Sequence, residues 1–405
     1  MALGKKLNKL FLGLLVIQVA VNLIGALGPE LGFDALWYHL TEAKLFLSRH
    51  SIAPIPGNLL YWSGLPRLGE LSYMILPGKL VHWGAGVLAA YFIYRLSGVG
   101  ASLLWYSTLL VGWLSTSAYV DLLAVAFLLG AYLFKRGKRI LFLILAGATK
   151  LQALVYGLVI TLVPWGVIGY LPFMLINWQA TGNPLYPFLE KLGFESEWFF
   201  NGFNYWLSRP IRLFFDPAFR VGPLILLAFL IKPLWSKALL LAFGLWLLMP
   251  GTDFGRFALF PLALMALSVK PPYKKLVVGL ILLQALVGIG GRVIANAKYL
   301  PVLSGRQTQA DFLSRYLKFH YGDFYDTDGW FAANIKPTDK VLIFGIHNLY
   351  YVDFPYDHAS WIDYHTTYSH ILMGNNQELP AVYGKLPLIY QNPLTRVRVY
   401  ATSIN

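Results

Sequence analysis

The chain of 405 residues contains no cysteine. That excludes a disulfide framework, a thiolate metal site and a cysteine nucleophile, and it fits an oxidising or a reducing compartment equally. Charge is scarce as well. Asp, Glu, Lys and Arg supply 13% of the residues, about half the share found in a soluble domain. With 57% hydrophobic and 16% aromatic residues, disorder is excluded too, because a disordered chain needs high charge and few aromatics. No Gly-x-Gly-x-x-Gly, phosphate-loop or Gly-x-Ser-x-Gly pattern occurs, which argues against an ATP-driven pump and against a hydrolase of the usual kind. Five of the eight histidines, His320, His347, His358, His365 and His370, fall in the C-terminal part without a metal-binding spacing such as His-Glu-x-x-His.

What is abundant is apolar sequence, with a mean hydropathy of +0.56. Runs near twenty residues recur, the length that crosses a ~30 Å hydrocarbon core as a helix. The first, 10–27, follows Lys5, Lys6 and Lys9. It is long, lacks a small-x-small cleavage site and is followed by more spans, so it reads as an uncleaved helix with its N-terminus in the cytoplasm. Further spans are expected within 71–96 and at 99–117, 118–134, 221–235, 238–250, 256–269 and 275–291. The stretch 140–178 holds Lys150 and Pro164 and reads as one crossing plus a short helix or as a broken pair. The expected architecture is an all-α polytopic membrane domain of about nine or ten crossings over 1–291. Its outer loops are 28–70 and 179–220. A small α/β extracytoplasmic domain over 292–405 follows, in which 340–345 and 396–401 read as strands.

The net charge of +14 is unevenly spread. Residues 292–405 hold ten basic and nine acidic side chains, which leaves 23 and ten for residues 1–291. Thirteen of those 23 lie in the expected cytoplasmic segments, Lys135, Arg136, Lys138 and Arg139 forming the strongest cluster. Short basic clusters between apolar runs indicate membrane orientation and not a nucleic-acid face. All ten carboxylates, Glu30, Asp34, Glu42, Glu70, Asp121, Glu190, Glu195, Glu197, Asp216 and Asp253, fall on the opposite, outer side. Acidic residues determine topology weakly, so their one-sidedness points to chemistry on that face.

Several of these carry candidate roles. Glu30 and Asp34 lie just past the first span, where a carboxylate can accept a proton from a nucleophile or cap a helix. The two could also ligate Mg²⁺ or Mn²⁺. Glu70 lies three residues from Arg67, as half of a surface ion pair or as a second acid facing Asp34. Asp121 begins an apolar helix, a functional position by default, or an interfacial cap for the turn at 115–117. Lys150 interrupts an apolar run, and Arg256 opens another beside Asp253. Either cation could hold an anionic head group, and Arg256 could instead pair with Asp253.

Four segments in order, GPELGFDALWYHL, AYVDLLAV, GATKLQAL and NWQATGNPLYPFL, together with the Arg-x-x-x-x-Pro helix in DFGRFALFPLALMAL, resemble the polytopic lipid-phosphosugar-dependent glycosyltransferases of the GT-C fold. That superfamily includes the protein mannosyltransferases and the aminoarabinose lipid A transferases. The resemblance covers most of residues 1–300. It implies a polyprenyl-phosphate sugar donor, inverting transfer to a lipid, glycan or protein acceptor, and membrane lipids as surroundings. By the same resemblance Asp34 is general base with Glu70 as a second acid, while Lys150, Arg256, Asp121, His39 and Asn183 bind the donor. The first loop lacks the adjacent acidic pair of that superfamily, having Glu30 and Asp34 four residues apart. A transporter or flippase of a lipid-linked or amphiphilic solute, and a non-catalytic membrane scaffold, are the alternatives. The absence of an internal repeat and the rim position of the carboxylates weigh against transport.

Overall fold

The computed structural model describes residues 2–187, 203–231, 236–248, 255–374, 377–384 and 386–402. The chain divides into two compact units, one of residues 1–28 and 64–300, the other of residues 29–63 and 301–405.

The first unit is helical. Helix Ala2–Leu27 packs against helix Lys275–Ala297, and these two are long and apolar enough to cross a membrane. Helix Gly78–Ser97 packs against helix Asp121–Leu133. The expected span 99–117 is broken. Helix Val99–Tyr106 ends at Ser107, and Thr108 starts Leu109–Leu114 by accepting the Val111 N–H at 3.3 Å. The ambiguous stretch 140–178 resolves into helices Arg136–Thr149, Leu151–Thr161 and Gly166–Thr181. The first and third pack closely because glycines face backbone: a Cβ on Gly147 would lie 2.1 Å from the Gly166 carbonyl oxygen, and one on Gly169 1.9 Å from that of Ile144. Small residues of this kind let helix backbones approach. Within 179–220 lies helix Phe203–Phe215. Shorter apolar helices, among them Lys237–Leu248 and Leu259–Ala266, complete the unit.

The last apolar helix continues past the expected end at 291, to Ala297. Arg292 does not stop it, because its guanidinium donates to Thr116 Oγ1 at 2.7 Å and to Asn296 Oδ1 at 2.6 Å inside the unit. Asn296 in turn donates to the Val21 carbonyl at 2.7 Å, and Gln18 to Asn22 at 3.1 Å. A charge that finds such partners can remain in an apolar helix.

The second unit carries the first part of the expected outer loop 28–70, in which the sequence has Asp34 opening an amphipathic helix. Its first part contains a π-turn Ala35–His39 running into helix Leu40–Arg49, and it packs on the C-terminal part. Lys44 Nζ donates to the carbonyls of Tyr350 (2.9 Å) and Val352 (2.6 Å) and to Asp353 Oδ1 (2.7 Å). The Tyr351 hydroxyl donates to the Glu30 carbonyl at 3.0 Å. The C-terminal part holds a five-stranded mixed sheet of β1 (Val341–Phe344), β2 (Tyr356–His358), β3 (His370–Met373), β4 (Leu388–Gln391) and β5 (Arg398–Ala401), in the order β2-β1-β3-β5-β4. β1 runs parallel to β2 and β3, while β5 is antiparallel to β3 and β4. β1 is buried along its length except at Phe344, as its apolar sequence requires.

Candidate functional site

The first unit gathers three charged side chains that lie far apart in sequence. Asp121 is the first residue of its helix. Its backbone is set there by His82, on the neighbouring helix. His82 Nε2 accepts the Leu122 N–H at 2.8 Å, so Nδ1 carries the proton and faces the carbonyls of Leu114 and Ser117, each at 2.8 Å. His82 therefore ties the turn before Asp121 to the helix that follows. Asp121 is not the cap of that turn. Its carboxylate accepts from Lys150 Nζ through Oδ1, while Oδ2 is buried without a hydrogen bond.

Lys150 reaches Asp121 because the chain breaks at that residue. Lys150 is extended (φ −157°, ψ 136°) between two helices, and its own N–H is satisfied by Ala146 at 3.1 Å. Interrupted helices occur at membrane depth where the break lines a binding cavity. The Lys150 ammonium also sits 4.9 Å from the centre of the Phe257 ring.

Arg256 closes the group. It lies in a 3₁₀ turn, Gly255–Ala258, before helix Leu259–Ala266. Gly255 is required there, since a Cβ would stand 2.4 Å from the Phe219 carbonyl. The guanidinium lies over the rings of Tyr119 (5.3 Å) and Phe257 (5.1 Å). The Tyr156 hydroxyl holds the Phe257 carbonyl at 2.9 Å. Asp121, Lys150, Gln152, Tyr156, Arg256 and Phe257 line one narrow crevice. The Asp121 carboxylate thus lies in one crevice with the two cations Lys150 and Arg256. Asp253, the other expected partner of Arg256, lies outside the described residues, as do Glu190, Glu195 and Glu197.

Other expected residues lie in or beside local hydrogen-bond networks. Arg67 and Glu70 are both buried, so neither lies on the surface. Arg67 donates to Asn177 Oδ1 at 2.9 Å, and Asn177 holds the carbonyls of Gly64 and Tyr186. Asn183 accepts the Leu185 N–H at 3.0 Å in the turn after helix Gly166–Thr181.

In the second unit Asp34 has helical backbone angles and no capping bond, contrary to the capping alternative; its Oδ2 accepts the Tyr38 hydroxyl at 3.1 Å. It stands at the start of the π-turn, a rare geometry that concentrates at functional sites. Tyr38 stacks on Trp62 at 4.3 Å, and buried His39 lies against Tyr38 at 4.2 Å. Glu30 Oε1 accepts the N–H groups of Leu31 (2.8 Å) and Gly32 (2.7 Å). Among the described residues no three His, Cys, Asp or Glu side chains gather as a metal-binding group. In the C-terminal part, burial and the neighbouring His347 push the His358 imidazole down to about 4.

His82 and Tyr119 were not singled out in the sequence. A lone His in an apolar helix reads as a core residue, and its partners are backbone groups that the sequence does not mark.

Neither a family model nor a curated protein matches the chain. Two solved structures do. The structure of ArnT from Cupriavidus metallidurans bound to undecaprenyl phosphate superposes with a TM-score of 0.56 at 13% identity, covering 97% of each chain. The apo form of the same protein gives 0.54 at 12% identity, over 97% of this chain and 98% of that one. At this level of identity the likeness establishes that the chain shares the fold of ArnT.

Proposed function

We propose that the chain is an inverting, membrane-embedded glycosyltransferase that moves a sugar from a polyprenyl-phosphate donor to an acceptor at the outer face. The observation that carries this reading is the convergence of Asp121, Lys150 and Arg256 from three separate elements. The shared fold supports it, since the neighbouring structure holds undecaprenyl phosphate.

A polyprenyl-phosphate sugar is a phosphodiester with one negative charge. As the glycosidic C–O bond breaks, its electron pair stays on the phosphate oxygen, which gains a second charge. Fixed cations at the place where charge develops lower the barrier most. Arg256 supplies a planar fork suited to phosphate, and Lys150 supplies a point charge steered by Asp121. The acceptor hydroxyl attacks the anomeric carbon from the opposite face while its proton passes to the Asp34 carboxylate. In the same reading Glu70 orients the acceptor or sugar, and His39 and Asn183 contact the donor. The acceptor is a lipid, a glycan or a protein. No step is routed through a divalent cation.

The test is transfer from a panel of radiolabelled polyprenyl-phosphate sugars by the purified chain in nanodiscs. Asp34→Asn is expected to lower transfer at least about a hundredfold, the scale of general-base catalysis, with membrane insertion unchanged. Unaltered transfer by that variant would move the base to Glu30, Glu70 or Asp121. Saturable donor binding without turnover by the unaltered chain would sink the enzyme reading in favour of transport.

A further inference from the structure

A groove of about 640 Å³ opens on the first unit, away from the charged group just described. Leu12, Val16 and Val19 of helix Ala2–Leu27 form one wall, and Val87, Ala90 and Tyr94 of helix Gly78–Ser97 form the other. The volume lies within the roughly 300–1,000 Å³ of ordinary ligand pockets. Its base is built by the turn before helix Lys275–Ala297. The Tyr273 ring meets Phe11 edge-on at 5.7 Å, its hydroxyl accepts the Gly100 N–H at 3.3 Å, and Ser97 Oγ donates to the Leu267 carbonyl at 2.7 Å.

The groove lies toward the opposite end of helix Gly78–Ser97 from His82, which holds the start of the Asp121 helix. Helix Gly78–Ser97 places His82 beside Leu122 and Tyr94 in the groove, about 18 Å apart at 1.5 Å per residue. The groove end is basic. Lys9 lines it with Asn8, Lys5 and Lys6 lie one turn nearer the N-terminus, and Arg95 donates to the Tyr91 hydroxyl at 2.8 Å. Lys270 and Lys274 flank the Pro271–Tyr273 turn. None of the segments that build this end, 2–28, 78–106 and 267–280, contains an Asp or Glu. An apolar furrow rimmed by cations with no carboxylate is complementary to an amphiphile with an anionic head and a hydrocarbon tail. The same cations mark this end as cytoplasmic by the positive-inside rule, and the cytoplasmic leaflet supplies anionic phospholipid.

We propose that this groove is a binding site for an anionic phospholipid of the cytoplasmic leaflet. One acyl chain lies between the helices Ala2–Leu27 and Gly78–Ser97, and the phosphate lies at Lys9. This site is separate from the proposed donor site and does not depend on the transferase reading, because what is measured is bound lipid and not turnover.

The test is native mass spectrometry of the full chain released from nanodiscs made with equal amounts of phosphatidylglycerol and phosphatidylcholine. The unaltered chain is expected to retain phosphatidylglycerol preferentially. Lys9→Gln, an exposed change that leaves the packing intact, should cut that preference about fivefold, the scale of one lysine at an anionic surface. Val16→Trp, which fills the groove, should lower retention of both lipids. Circular dichroism of that variant confirms that it has folded. Equal retention of the two lipids by the unaltered chain overturns the proposal, as does phosphatidylglycerol retention that neither variant changes. Displacement of phosphatidylglycerol by stoichiometric undecaprenyl phosphate in the unaltered chain would assign the groove to the donor lipid and overturn it equally.

Discussion

Arginine and lysine are unequal at position 256. Arg256 lies over Tyr119 and Phe257, where a planar guanidinium stacks and a lysine ammonium does not. Arg256→Lys keeps the charge but removes the two-pronged grip on phosphate. We expect a loss of about 10–100-fold in kcat/KM for the lipid-phosphate donor, corresponding to one strong charge-assisted hydrogen bond of about 1.5–3 kcal/mol. Steady-state kinetics over a donor series would show it. Asp121 plays a different part. Asp121→Asn leaves Lys150 beside a neutral amide, and breaking a buried pair costs about 3–5 kcal/mol. The variant should therefore unfold at lower temperature, and Asp121→Asn combined with Lys150→Met should recover much of that loss. His358 gives a test by pH. Its folded-state imidazole titrates near 4 against an ordinary 6.5, so the neutral form is favoured on folding. Stability is full above about pH 6.5 and falls as the pH drops towards 4, because the unfolded chain takes up the proton first. The total is at most about 3 kcal/mol at 1.36 kcal/mol per pH unit. The opening free energy of the β1 and β2 amides, from hydrogen exchange corrected for the pH dependence of the intrinsic rate, should fall over that window, and His358→Gln should flatten the dependence.

At the scale of the element, the decisive feature is the break at Lys150, held in place by close contact between Arg136–Thr149 and Gly166–Thr181. Gly169→Ala puts a methyl group 1.9 Å from the Ile144 carbonyl oxygen. The helices must then separate, at about the 1–3 kcal/mol of an overpacked core. A fall in melting temperature in detergent, with reduced transfer, is expected. A melting temperature matching that of the unaltered chain would mean that the contact does not hold the break. Lys150 was legible in the sequence as a lone cation in an apolar run, and Arg256 as the opening of another. That they meet Asp121 was not legible, because sequence spacing says nothing about which helix ends converge. The N-terminal segment shows the same limit. Residues 28–70 read as an outer loop in which Asp34 opens an amphipathic helix, without a sign of what that helix packs on. The helix Leu40–Arg49 is stabilised by packing that lies some 300 residues away, where Lys44 meets Tyr350, Val352 and Asp353. The strands β1 and β5 were legible because local alternation and a buried apolar run carry their own signal.

For the whole molecule the central question is which side of the membrane each unit faces, and the composition supplies the means to ask it. A chain without cysteine accepts single reporter cysteines with no background. Lys138→Cys lies in the basic cluster expected in the cytoplasm, and Tyr364→Cys sits on the C-terminal unit at a side chain 88% exposed. In intact cells a membrane-impermeant maleimide should label Tyr364→Cys and leave Lys138→Cys unlabelled until the membrane is opened. The reasoning joins two independent signals. The positive-inside rule leads us to expect the basic cluster 135–139 in the cytoplasm. The carboxylates proposed for chemistry, Asp34 and Asp121, lie on the other side by the same reading, and so does the C-terminal unit, in which residues 29–63 carry Asp34. If Tyr364→Cys is protected and Lys138→Cys is labelled, the orientation is inverted. The Asp34 carboxylate would then face the cytoplasm, and the acceptor would have to be sought there. If both are labelled, the segments between them cross the bilayer an even number of times, and the expected nine or ten crossings must be redistributed among the short apolar helices, of which Leu151–Thr161 and Lys237–Leu248 are about 17–18 Å long and fall well short of a ~30 Å core.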